Sequence, residues 1–269
     1  MRHGKLPSLA LLTAAALATI PATAQAASAE VVYGPAAPYT TILNGQFTFV
    51  PLPDAALIAT SSYGYVYKAG KQNSHLVITE VEGGLRFHDS GTAKFKSLPG
   101  TCQREAVSTG VAAVCSVPRT VSGATPTLLE IWPRLGDDYV DASSLTAAFD
   151  VTVLGDGGAD VALTGAGNDF VNGAFQDDWV SSGAGNDWVR TGDGNDTLMG
   201  GDGSDKLVGS GGTDVLHGGG GDDITYGGAG SDALWAEAGR DLASCGDGAD
   251  AAFVDTSDRT RSCESVSPY

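Results

Sequence analysis

From residue 160 to residue 250 an aspartate recurs every nine positions without a break: Asp160, Asp169, Asp178, Asp187, Asp196, Asp205, Asp214, Asp223, Asp232, Asp241 and Asp250. A fixed short period means one small structural unit copied and stacked. Low-complexity drift does not keep such register. With the aspartate set at position six, position four is Gly in every unit but one, where Gln176 stands. Position two is Gly at 165, 183, 192, 201, 219, 228 and 246. Position eight is Val171, Val180, Val189, Leu198, Leu207, Leu216 and Leu234, with Ala162, Thr225, Ala243 and Ala252 as smaller members.

Positions seven to nine place one apolar side chain between two neighbours that point the other way, the period-two pattern of a very short strand. The six residues before it carry up to three glycines, which suit turns that need positive φ. A turn and a strand, repeated, build a coil that stacks parallel strands about 4.8 Å apart. The expectation is an all-β solenoid.

The fullest unit, Gly200-Gly201-Asp202-Gly203-Ser204-Asp205-Lys206-Leu207-Val208, reads G-G-x-G-x-D-x-U-x, with U a large apolar residue. Residues 155–253 resemble the RTX, or haemolysin-type, calcium-binding nonapeptide repeat. The resemblance implies a parallel β-roll, a β-helix solenoid in which two nonapeptides make one turn and units 18 residues apart stack. It also implies Ca2+ as cofactor and partner, held between stacked glycine-rich turns. One edge then carries Asp169, Asp187, Asp205, Asp223 and Asp241. The other carries Asp160, Asp178, Asp196, Asp214, Asp232 and Asp250. Well-formed turns face each other at 169/187, 187/205, 205/223, 196/214, 214/232 and 232/250, so about six sites are expected. The implied metal residues are Asp169, Asp187, Asp196, Asp205, Asp214, Asp223, Asp232 and Asp250. With them go the turn glycines Gly165, Gly167, Gly183, Gly185, Gly192, Gly194, Gly201, Gly203, Gly219, Gly221, Gly228 and Gly230. Asp178 and Asp241 sit in units that depart from the pattern: residues 173–178 lack both turn glycines, and Arg240 puts a cation inside the other turn. Asp160 belongs to a unit that reads one residue out of step. Asp193, Asp202 and Asp247 at position three are expected to face solvent.

Stacked carboxylates need a cation. Two of them about 5 Å apart repel by about 1 kcal/mol in water and about 3 kcal/mol at an effective dielectric of 20. Calcium takes six to eight oxygens, at roughly 2.3–2.6 Å, from carboxylates and main-chain carbonyls. Glycine turns let those carbonyls converge. Magnesium keeps its waters and demands a tighter octahedron, so it suits the turns less. Folding on calcium is the expectation.

Charge supports cations over nucleic acid as partners. Residues 137–258 hold 24 acidic residues against Arg190, Lys206 and Arg240, whereas residues 27–136 hold seven acidic and eight basic residues. Phosphate binding requires a basic surface.

Residues 1–26 have a basic start (Arg2, Lys5), an apolar stretch from Leu9 to Ile20 and small residues at A-x-A spacing, the pattern of a secretory signal peptide. No later stretch is apolar enough for a membrane span. Four cysteines in an exported chain suggest disulfides. Three connectivities are possible, and the local pairs Cys102–Cys115 and Cys245–Cys263 are the simplest. Zinc spacing is absent. Residues 27–150 hold short β-like runs and read as an irregular β segment or lead-in. The calcium-binding β-roll spans 151–253, and 254–269 forms a cap. Leu135–Val140 already echoes a worn repeat.

The chain carries no H-E-x-x-H, G-x-S-x-G, P-loop or dinucleotide fingerprint. His75, His88 and His217 lie in no catalytic pattern. His88-Asp89-Ser90 contains triad residue types, but adjacency in sequence is not triad geometry. The leading reading is a secreted, non-enzymatic calcium-binding protein. An adhesin or matrix-binding module stiffened by calcium is the alternative, and the aromatics Phe170, Trp179 and Trp188 at position seven bear on it. A hydrolase site within 27–150 is the third.

Overall fold

A computed structural model describes residues 40–43, 46–49, 55–61, 63–69, 73–117 and 126–268. The signal-peptide reading of residues 1–26 lies outside them. Every helix or strand among the described residues is a β-strand. The chain divides into two units, Met1–Pro51 and Leu52–Tyr269. In the first, Thr40–Leu43 pairs antiparallel with Gln46–Phe49.

The second unit is a parallel β-solenoid. Successive nonapeptides alternate between two sheets. Phe170–Phe175, Trp188–Asp193, Lys206–Gly211, Ile224–Gly230 and Leu242–Gly248 follow one another in the first sheet. Trp179–Ala184, Thr197–Asp202, Val215–Gly220, Ala233–Ala238 and Ala251–Val254 follow in the second. Neighbouring strands sit 18 residues apart in register, Val189 beside Leu207 and Leu198 beside Leu216. Position eight points inward, and Val171, Val180, Val189, Leu198, Leu207, Leu216 and Leu234 join one continuous core. Each nonapeptide adds one such side chain, so the core is a thin column.

The strands run further than the apolar pattern shows. They start at position seven but continue through positions nine, one, two and three, as in Lys206–Gly211. Positions two and three keep the coil-to-coil register, Gly192 beside Ser210 and Asp193 beside Gly211. Alternation stops being visible there because small residues replace apolar ones.

Position two bends the strand with φ in the left-handed region: Gly201 has φ 109°, and a Cβ on it would strike the Gly183 carbonyl of the neighbouring coil. Three worn units place other residues in this conformation, Ala174 (φ 86°), Ser210 (φ 93°) and Glu237 (φ 70°). A left-handed backbone costs a residue with a Cβ about 1–2 kcal/mol. Glycine returns part of that gain as unfolded-state entropy. Ser210→Gly is therefore expected to stabilise the calcium-loaded protein by about 0.5–1 kcal/mol in denaturant unfolding.

The parallel ladder reaches upstream of the nonapeptides. Tyr139–Asp141 pairs in parallel with Val161–Leu163 on one side and His75–Val81 on the other. Thr127–Leu135 lies in parallel between Phe149–Gly157 and Gly64–Lys68. Antiparallel strands then extend both sheets: Ala56–Thr60 against Gly64–Lys68, and the row His75–Val81, Gly84–Asp89, Val111–Ser116, Cys102–Glu105. The core is wider here, with Tyr65, Tyr67, Phe87, Ile58 and Leu76 fully buried, while Tyr63 is exposed. Cys102 and Cys115 face each other across adjacent strands and are disulfide-bonded. Cys245 and Cys263 form the second bridge, which ties the last coils together.

Candidate metal centre

The position-six aspartates form two inward columns, and they are 1–8 % exposed. Each carboxylate is held the same way. Its Oδ1 accepts a main-chain N–H from the preceding coil, that of an aspartate in every case but Asp169, which takes the Val151 N–H at 2.6 Å. Asp169 N–H donates to Asp187 Oδ1 (2.7 Å), Asp187 N–H to Asp205 Oδ1 (2.8 Å), Asp205 N–H to Asp223 Oδ1 (2.8 Å) and Asp223 N–H to Asp241 Oδ1 (2.8 Å). In the second column the bonds run from Asp160 through Asp178, Asp196, Asp214 and Asp232 to Asp250, at 2.8–2.9 Å. The two edges read from the sequence are therefore continuous ladders. Asp160, Asp178 and Asp241, whose units look irregular in sequence, occupy the ladders like the rest.

Three ladder members lie outside the nine-residue register. Ser74 N–H donates to Asp138, whose own N–H donates to Asp160 Oδ1. At the other end Asp241 N–H donates to Asp258 Oδ1 and Asp250 N–H to Glu264 Oε2. Asp258 follows Asp241 by 17 residues and Glu264 follows Asp250 by 14, so a strict period passes over both. Asp138 sits in the worn repeat 135–140, which was its signal. Outer ladders keep the same 18-residue register at position five on both edges: Asn186 N–H donates to Asn168 Oδ1 and Ser204 N–H to Asn186 Oδ1 on one, and Asn195 N–H to Asp177 Oδ1 and Thr213 N–H to Asn195 Oδ1 on the other.

The second carboxylate oxygen is different. Oδ2 of Asp160, Asp178, Asp187, Asp196, Asp205, Asp214, Asp223, Asp232, Asp241 and Asp250 is buried and accepts no hydrogen bond. Position one explains where these atoms point. A Cβ on Gly218 would stand 2.7 Å from Asp223 Oδ2 and 2.6 Å from the Ala236 carbonyl; one on Gly155 would stand 2.7 Å from Asp160 Oδ2 and 2.8 Å from the Gly173 carbonyl. Gly200, Gly209 and Gly227 present the same pair of oxygens, the unit's own Oδ2 and the position-one carbonyl of the next coil. Bare glycine thus leaves an oxygen-lined cradle that a side chain would fill.

A buried carboxylate oxygen beside a carbonyl, with no donor between them, is the donor set of a hard cation. Among the described residues no three His, Cys, Asp or Glu side chains converge on one point. A cation here therefore takes most of its shell from main-chain oxygens.

Burial, reinforced by like charges along each column, raises the carboxyl pKa values. Asp178 is pushed up to about 8, and Asp187, Asp214 and Asp223 to about 7. Asp138, between Asp160 and Asp89, is pushed up to about 9, chiefly by burial. A carboxyl whose folded pKa lies above its unfolded value binds protons on folding. Its stabilising contribution is full below about pH 4 and is lost as pH rises through the folded pKa. The metal-free protein is therefore expected to be more resistant to urea at pH 5 than at pH 8. Denaturation in excess chelator at the two values checks this.

These ladders and cradles define a β-roll with carboxylate and carbonyl oxygens turned inward for a cation. The sequence matches the RTX calcium-binding nonapeptide repeat in four copies, over residues 154–189, 190–225, 208–243 and 220–252. Residues 154–252 are RTX calcium-binding repeats. No curated protein matches the chain.

Proposed function

We propose that this is a secreted, non-enzymatic calcium-binding protein whose repeats take up several Ca2+ ions and fold on binding them. The observation that carries the reading is the run of buried aspartate Oδ2 atoms without a hydrogen-bond donor, repeated coil after coil. Asp187, Asp196, Asp205, Asp214, Asp223, Asp232 and Asp250 supply carboxylate oxygens, and the glycine-rich turns supply carbonyls. Asp169 acts with them, although its Oδ2 already accepts Gly165 N–H at 3.2 Å. Bound calcium supplies the positive charge that offsets repulsion along each column. Residues 1–26 act as the export signal, 27–150 as the lead-in, 151–253 as the calcium-binding roll and 254–269 as its cap. Among the described residues no helix is long and apolar enough to cross a membrane. Calorimetric titration of calcium into the chelated full chain tests the reading. Several ions per chain, with magnesium binding far more weakly, are expected; one ion or none overturns it.

A second reading, surface attachment, is favoured by the outer face of the second sheet. From Val161 to Phe253 its outward positions seven and nine carry no Asp, Glu, Lys or Arg, in a chain of net charge −17. His217, Trp235 and Phe253 stack there with centroids 4.6 and 4.7 Å apart. The position-seven aromatics do not form one row: Phe170 and Trp188 lie on one sheet, Trp179 on the other. Retention of the calcium-loaded protein on a neutral polysaccharide such as cellulose, lost in Trp235→Ala, supports attachment. Failure of the unaltered protein to be retained removes it.

A further inference from the structure

The two outer faces of the roll are charged differently. Arg259–Arg261 pairs in parallel with Leu242–Gly248 and ends the first sheet. Residues 137–269 hold five Lys or Arg, and four of them, Arg190, Lys206, Arg259 and Arg261, stand on the outer face of that sheet. All four are exposed. From Phe170 to Arg261 the outward positions seven and nine of this sheet carry no Asp or Glu. A face that bears cations alone, in a chain of net charge −17, is a place for anions.

The acidic residues are set away from it. The position-six aspartates are buried inside the roll. Asp193 and Asp247 stand at position three, beyond the left-handed bends at Gly192 and Gly246. Asp222 lies in a turn, where it pairs with Arg240, the fifth cation. None of the four face cations forms an ion pair with another described residue. Their charge is not neutralised within the protein.

Large side chains fill the space around the cations. Trp188 is 48 % exposed, Ile224 37 % and Tyr226 36 %. Lys206 Nζ lies 4.9 Å from the centre of the Trp188 ring, and Phe170, on the strand to the other side, meets the same ring in a T-shaped contact. Arg190 follows Trp188 by two residues on one strand, so both project from the same side. Arg259 and Arg261 lie three strands beyond Lys206, about 14 Å away, with Ile224 and Tyr226 in between.

We propose that this face docks an acidic polysaccharide. Aromatic and aliphatic side chains pack on the C–H faces of sugar rings, and exposed Lys and Arg pair with the carboxylate or sulfate groups that such rings carry. Charges spaced by whole sugar rings suit four separated cations. A nucleic acid brings denser charge and an anionic bilayer broader charge, and both also meet Asp193 and Asp247 beside the face. A single polysaccharide chain follows the cationic row alone. The surface is distinct from the calcium cradles, which lie inside the roll, and from the uncharged face of the second sheet.

Binding of the calcium-loaded full chain to labelled dextran sulfate and hyaluronan, with uncharged dextran as control, tests this by fluorescence anisotropy. The two charged polymers are expected to bind and dextran not to, with binding about tenfold weaker at about 0.5 M salt. Arg190→Gln combined with Lys206→Gln is expected to weaken binding about five- to tenfold. Lys94→Gln combined with Lys96→Gln removes the same charge at the opposite edge of the sheet and is expected to leave binding unchanged. No binding by the unaltered protein overturns the proposal. Equal weakening by the two pairs also overturns it, because net charge alone then acts. Binding that neither pair weakens overturns it as well, because calcium then bridges the polymer to acidic turns. Tighter binding of a single-stranded oligonucleotide or of phosphatidylserine vesicles gives the face to another partner and overturns it too. Calorimetry separates this from the calcium reading: loss of polysaccharide binding with calcium uptake intact removes the docking surface alone, whereas absence of calcium uptake removes the functional reading.

Discussion

Asp205→Ala is expected to raise the calcium concentration for half-maximal folding by about ten- to a hundredfold. Asp205 is tied on both sides, since its Oδ1 accepts Asp187 N–H and its own N–H donates to Asp223 Oδ1, each at 2.8 Å. Its Oδ2 points into the cradle over Gly200. The substitution removes an ionic ligand and leaves the buried Asp187 N–H without an acceptor, a loss of about 1–3 kcal/mol. Asp241→Ala is the comparison. Asp241 ends its column of repeats, its unit has Ala236 in place of the cradle glycine, and its neighbour Arg240 is paired across the coils to Asp222 of the adjacent turn at 2.8 Å. Asp241→Ala also strands the Asp223 N–H but removes no oxygen from a glycine cradle, so a smaller shift than for Asp205→Ala is expected there. Calcium titrations of the two variants, followed by far-ultraviolet circular dichroism, separate the effects. Equal shifts contradict the pairing of turns across 18 residues.

Gly203→Ala is expected to destabilise the calcium-loaded protein by about 3 kcal/mol or more. Position four needs glycine for two reasons at once. Its φ is 136°, a region L-residues rarely enter, and a Cβ would drive into the Gly185 carbonyl of the neighbouring coil. Neither flexible side chain nor solvent is there to yield. Gly220, one position earlier in its own turn, has no such φ and would place its Cβ 3.5 Å from Asp202 Oδ1. Gly220→Ala is expected to change stability by less than about 0.5 kcal/mol. Urea unfolding at saturating calcium measures both.

The period carried most of the architecture because each physical role recurs at the same offset. Leu198, Leu207 and Leu216 mark the inward position, and Gly203 and Gly221 mark the corner. The full strand length was hidden, since positions one to three are filled by residues such as Gly209, Ser210 and Gly211 that show no alternation. The ends were hidden for a different reason. Asp258 and Glu264 continue the ladders only because the chain brings them there after shortened spacings of 17 and 14 residues, which no fixed period signals, whereas Asp138 was marked only by the worn repeat around it. The parallel pairing of His75–Val81 with Tyr139–Asp141 spans a long antiparallel excursion, which local pattern does not encode. Within the site, the aspartates were legible as a charge problem. The partition of labour between Oδ1, which holds the neighbouring coil, and Oδ2, which is left to a cation, required the fold.

Folding on calcium is the central claim, and circular dichroism of the full chain through a chelation and recalcification cycle tests it most directly. Excess chelator at pH 7.5 is expected to remove a large part of the β signal, and millimolar calcium to restore it in a cooperative transition that equal magnesium does not reproduce. A spectrum and a thermal transition unchanged by chelation would contradict it.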